Sequence, residues 1–142
     1  MKPVIIDTSG WIEFFNKPES KIGDSAAKLI ETDNAIIIGV VLAELLCGSR
    51  NKKESNKIQS LTEVLHYANT VPEDWVQAGT TLNHLRKKGI TVPLTDALIA
   101  AVVKRNNYSI LTLDKHFEFL AVSIIWTLTF FKPFKGLKPL KG

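Results

Sequence analysis

Short β-branched apolar runs alternate with helical patterns along this chain, and that alternation leaves few folds open to it. Val4–Ile6 and Ala35–Ile38 read as buried strands. Between them, Asp7-Thr8-Ser9-Gly10 is rich in capping residues, with Ser9 the expected cap of a helix over 10–15. A second helix is expected over 21–32, with Ile22, Ala26, Leu29 and Ile30 on one face. After the second strand comes a helix that stops at Gly48, then an amphipathic helix over 51–67. A strand is expected over 69–71 and a helix over 73–88, acidic at its start and closed by Arg86-Lys87-Lys88 as the helix dipole prefers. Thr95 or Asp96 opens a further helix ending near Asn106-Asn107. Strands are expected over 109–113 and 122–126, with a short turn or helix at 115–120. Helices separate nearly all strands, so the pattern is βαβ: an open parallel sheet with helices on both faces. No repeat or interior linker appears, so 1–131 reads as one domain and 132–142 as an appended tail.

The 142 residues suffice for one domain with a core, and no apolar stretch approaches the ~20 residues that span a bilayer. Asp7 arrives too early for a signal peptide, and the single Cys47 suits a reducing compartment, so the cytoplasm is the expected location.

Four acids sit where such a fold tolerates charge poorly. Asp7 ends the first strand, and Asp114 ends Tyr108-Ser109-Ile110-Leu111-Thr112-Leu113. Asp96 opens the apolar stretch Ala97-Leu98-Ile99-Ala100-Ala101-Val102-Val103. Glu44 interrupts the apolar residues around it and has no Lys or Arg three or four positions away. A carboxylate in apolar surroundings needs a cation, hydrogen-bond donors or a metal. Each also has an ordinary role open to it: a helix cap for Asp7 and Asp96, a turn for Asp114, a distant ion pair for Glu44. In open parallel sheets, however, sites form beyond the carboxyl ends of the strands. All four acids can meet on that edge, and one divalent cation explains them together. Hard oxygen ligands favour Mg²⁺ or Mn²⁺. His66, His84 and His116 share no ligand spacing and read as surface residues, Cys47 reads as packing, and Trp11, Trp75 and Trp126 read as core.

The net charge of +4 belongs to the tail, where Lys132, Lys135, Lys138 and Lys141 face no acid; the body holds 14 basic and 14 acidic residues. With four of those acids gathered at a metal, the rest of the body is basic on balance. A negative pocket in a basic surround suits a metal-dependent enzyme acting on a polyanion. Lysine at every third tail position would match a polyproline II edge for phosphate, but the tail reads first as a disordered solubilising end.

In order, these segments resemble PIN-domain ribonucleases. Val4-Ile5-Ile6-Asp7-Thr8-Ser9 is similar to that family's first motif, and Val40-Val41-Leu42-Ala43-Glu44-Leu45-Leu46-Cys47-Gly48 to its second. Thr95-Asp96-Ala97-Leu98-Ile99-Ala100-Ala101 is similar to the third, and Leu111-Thr112-Leu113-Asp114-Lys115-His116-Phe117 to the fourth. The likeness runs over 4–126, and at this length the chain is similar to the VapC-like toxins of type II toxin–antitoxin pairs. The resemblance implies a three-layer α/β/α sandwich with a central parallel sheet, and a homodimer. It implies Mg²⁺- or Mn²⁺-dependent endoribonuclease activity on RNA, and inhibition by a small antitoxin protein that reaches into the acidic site. Asp7 and Asp96 would hold the metal most directly, and Glu44 and Asp114 would complete the catalytic set. Thr8, Ser9 and Thr112 would supply hydroxyls behind the ligands or toward the substrate. A water-derived nucleophile would leave a 5′-phosphate and a 3′-hydroxyl. One position departs from the pattern: the residue two after Asp114, often acidic in the family, is His116. Two other functions fit the same fold, a PIN nuclease of RNA processing without an antitoxin and a non-catalytic RNA-binding module. A phosphoaspartyl phosphatase would need an Asp where this chain has Ser9.

Overall fold

The computed structural model describes residues 3–123. Four strands, β1 Val4–Ile6, β2 Ala35–Ile38, β3 His66–Ala68 and β4 Ser109–Leu111, form one sheet in the order β3-β2-β1-β4. Every neighbouring pair is parallel, with Val4 opposite both Ala35 and Ser109. Strands β1, β2 and β4 are buried throughout, β1 and β2 as continuous apolar sequences and β4 with one buried polar residue, Ser109, whereas β3 is an edge that exposes His66 and Tyr67.

The helices among the described residues are α1 Thr8–Asn16, α2 Lys21–Glu31, α3 Gly39–Cys47, α4 Lys52–Val64, α5 Pro72–Lys87, α6 Leu94–Asn106 and α7 His116–Ser123. From β1 to β3 the chain steps outward in one direction, then returns across the sheet to β4. Right-handed crossovers place the helices of the outward run on one face and those of the return on the other. The packing agrees: α1 touches α2 and α3, and α3 touches α4, while α5, α6 and α7 pack together. This is the α/β/α sandwich expected from the sequence. Helix α6 lies in the core over Ala97 to Val103, so its apolar run covers every side of the helix.

Several boundaries differ from expectation for identifiable reasons. Asp7, not Ser9, caps α1, and the helix begins at Thr8: the Asp7 carboxylate accepts the Gly10 N–H at 3.0 Å. Helix α4 stops at Val64 because Leu65 is already extended, and the following strand takes His66–Ala68, earlier than 69–71. Strand β4 ends at Leu111, since Thr112 and the residues after it turn toward the site. Val122 and Ser123 belong to α7 rather than to a last strand; the rest of that expectation, Trp126 and the tail 132–142 lie outside the described residues. Trp11 is core, its ring 5.8 Å from Phe14 and 5.9 Å from Phe15. Trp75 is not core, being 49% exposed on α5, and Cys47 is exposed rather than packed.

One buried acid is purely architectural. Asp74, 1% exposed, receives Arg105 Nε at 2.8 Å and a second guanidinium N–H at 3.0 Å. Arg105 also donates to the Asn69 carbonyl at 2.9 Å, so it ties the end of α6 to the start of α5 and the loop before it.

Candidate metal centre

The strand order reverses between β1 and β4, because β1 leads on to β2 while β4 arrives from the far edge. Such a switch point splays the chain beyond the carboxyl ends and opens a crevice there. Asp7 follows β1 directly, and Thr112 follows β4. The two ends are laced together by hydroxyls. The carboxylate of Asp7, 4% exposed, accepts a short hydrogen bond from Thr112 Oγ1 and another from Ser9 Oγ at 2.6 Å. Ser9 Oγ in turn accepts the Leu113 N–H at 2.9 Å, and Thr112 Oγ1 accepts the Asp114 N–H at 2.9 Å. Both hydroxyl protons are committed to Asp7, so the 3.5 Å Ser9–Thr112 approach is a contact rather than a third donation.

Asp96 enters from the other face of the sheet, in the first turn of α6, where the helix dipole favours a negative charge. Asp114 lies just before α7 and accepts the His116 N–H at 2.9 Å. His116 Nδ1 stands 2.8 Å from Asp114 Oδ1 and 3.2 Å from Asp96 Oδ2. Asp96, Asp114 and His116 thus present ligand atoms within 4.8 Å of one another, a group that could hold a metal ion. Asp7 lies outside this tight group but close enough for Asp114 to act on it electrostatically.

The carboxyls report their surroundings. Burial pushes Asp7 up to about 6, against the hydrogen bonds of Ser9, Thr112 and Gly10. Asp96 rises to about 7, first through burial and then through the charge and hydrogen bonding of Asp114, with His116 acting against the rise. Among the described residues, no Lys or Arg forms an ion pair with Asp7, Asp96, Asp114 or Glu44. Asp74 has its arginine; these acids have none. Two carboxylates and an imidazole, crowded and short of positive charge, are a donor set that fits a divalent cation.

The structure corrects two of the sequence expectations here. Glu44 is exposed rather than embedded, and its link to the others is indirect: Thr8 Oγ1 donates to Glu44 Oε1 at 2.7 Å, beside Asp7. His116 is not an isolated surface histidine but lies between two of the acids. Its place two residues after Asp114, where the family often carries an acid, was the signal in the sequence; its approach to Asp96, 20 residues away, comes only through the fold. His66 pairs instead with Asp33 at 3.0 Å, on the sheet's edge strand.

Comparison with known proteins agrees with the fold. The family model of the PIN domain matches residues 4–122, and the chain belongs to that family. Its fold is similar to that of VapBC2 from Rickettsia felis bound to a promoter DNA fragment: TM-score 0.68 and 21% identity, covering 82% of this chain and 92% of that one. VapBC-1 from nontypeable Haemophilus influenzae gives TM-score 0.67 and 24% identity, over 84% and 92% of the two chains. FitAcB from Neisseria gonorrhoeae gives TM-score 0.62 and 17% identity, over 92% and 97%. A search of curated proteins by sequence found no significant match.

Proposed function

We propose that this protein is a metal-dependent endoribonuclease and the toxin of a VapBC-type toxin–antitoxin pair. The observation that carries the reading is the convergence of Asp7, Asp96 and Asp114 at the switch point without a Lys or Arg partner. An RNA-binding module of the same fold has no use for unpaired negative charge facing phosphate. Asp96 and Asp114 would hold Mg²⁺ or Mn²⁺, with Asp7 completing the charge behind them. A bound divalent ion would supply positive charge to the phosphodiester oxygens and lower the cost of generating the attacking hydroxide. Ser9 and Thr112 fix the Asp7 carboxylate so that it need not reorganise during reaction. Glu44, held by Thr8, would border the crevice on the α3 side rather than ligate in the innermost position.

An antitoxin partner is supported by the similar structures, which are VapBC and FitAB complexes. A groove of about 650 Å³ lined by Ile12, Phe15, Leu45 and Ile58, with Arg50 and Lys57 beside them, offers an apolar surface for such a protein. Trp75, Val76 and Leu94 are exposed apolar residues of the kind a homodimer covers. Among the described residues, no helix is long and apolar enough to cross a membrane.

The test is cleavage of total RNA by the purified protein and by Asp96→Asn. The variant should lose about 100-fold or more of the rate while keeping its fold, as expected when a metal ligand is neutralised. Undiminished cleavage by the variant in Mg²⁺ would overturn the reading. Growth arrest on expression, relieved by a small protein encoded beside it, would distinguish a toxin from an RNA-processing nuclease.

A further inference from the structure

Resting on that metal-site reading, we propose that His116 is itself a ligand of the ion and tilts the site toward Mn²⁺ and other first-row transition ions over Mg²⁺. The geometry carries this. Donors at adjacent corners of an octahedral ion, each about 2.1 Å from it, stand about 3 Å apart. His116 Nδ1 lies 2.8 Å from an oxygen of Asp114 and 3.2 Å from an oxygen of Asp96, so it occupies such a corner toward both carboxylates at once. Nδ1 shares a proton with Asp96 at 3.2 Å, and the ion would take that proton's place. The ring is held in place, because its own backbone N–H is bonded to Asp114 Oδ1 at the start of α7.

The chemistry follows from the donor. A neutral imidazole gives nitrogen where a carboxylate would give oxygen, and it removes one negative charge from the set. Mg²⁺ favours oxygen and charge, whereas Mn²⁺, Fe²⁺ and Zn²⁺ accept imidazole readily. This is the position at which the fourth motif carries His116 in place of an acid, so ion preference is a property of this chain's own residue rather than of the three aspartates.

Mn²⁺ binding to the full chain tests the proposal, followed by electron paramagnetic resonance with ¹⁴N electron spin-echo modulation. The wild type should bind Mn²⁺ with imidazole nitrogen coupling, and His116→Ala and His116→Asp should bind it without. The preference for Mn²⁺ over Mg²⁺ should fall by about tenfold or more in His116→Asp, the lower end of what losing a residue of a metal site costs. Bound Mn²⁺ without nitrogen coupling in the wild type, or an unchanged preference in His116→Asp, overturns the role of His116 and leaves the aspartate site standing. No Mn²⁺ bound at all overturns both.

Discussion

Asp74 and Asp96 are both buried acids, at 1% and 9% exposure, and the difference between them is the partner. Asp74 has an arginine and stays an architectural ion pair; Asp96 has Asp114 and a histidine, and its carboxyl rises to about 7. That rise has a sign for stability. A carboxyl whose folded pKa exceeds its unfolded value contributes most when protonated, so the contribution of Asp7 and Asp96 is complete below about pH 4 and lost as pH rises through 6 and 7. The melting temperature of the metal-free protein should therefore fall between about pH 4 and 7, and Asp96→Asn should flatten the fall. A saturating divalent ion should raise the melting temperature more at the upper pH, where protons no longer compete for the same oxygens. Melting curves across that range, with and without Mn²⁺, check both statements, and a metal-free melting temperature that rises with pH would contradict them.

At the level of elements, the crevice depends on how closely α1 meets the sheet. A Cβ on Gly10 would lie 2.8 Å from Ile6 Cγ2 and 3.2 Å from the Leu111 carbonyl, so only glycine lets the capped end of α1 sit against both β1 and β4. Gly10→Ala should cost about 1–3 kcal/mol in urea unfolding, the usual cost of overpacking, and should weaken metal binding by displacing Asp7. Removing the cation from the other helical layer should cost more relative to its size: Arg105→Ala leaves Asp74 buried with only the Val71 N–H and should destabilise by about 3 kcal/mol. A loss under half of that in either variant would mean the packing is looser than described. The same elements explain what the sequence could and could not convey. Asp7, Asp96 and Asp114 were legible because each closes or opens an apolar element, and element ends are where parallel sheets put their sites. The burial of Glu44 was misjudged because α3 is more apolar than its buried face requires; Ala43, Glu44 and Cys47 are all exposed. Strand β3 was displaced in expectation because its first residues, His66 and Tyr67, continue the helical period of α4 and lie exposed at the edge.

For the whole molecule, one topological fact does most of the work. The order β3-β2-β1-β4 brings residues 7, 96 and 114 to a single crevice from three separate stretches of chain. The βαβ alternation made a parallel sheet with helices on both faces foreseeable, but the return of β4 past β1 is set by the fold and not by the alternation. The place of His116 was not foreseeable in the same way, because it depends on the start of α7 and the turn before it rather than on strand order. The central claim, that this crevice hydrolyses RNA with a divalent ion, is tested most directly by the ends of the fragments it makes. The fragments should carry 5′-phosphate and 3′-hydroxyl ends, formed with Mg²⁺ or Mn²⁺ and abolished by a chelator. Fragments with 2′,3′-cyclic phosphate ends, formed equally well in the chelator, would contradict that claim.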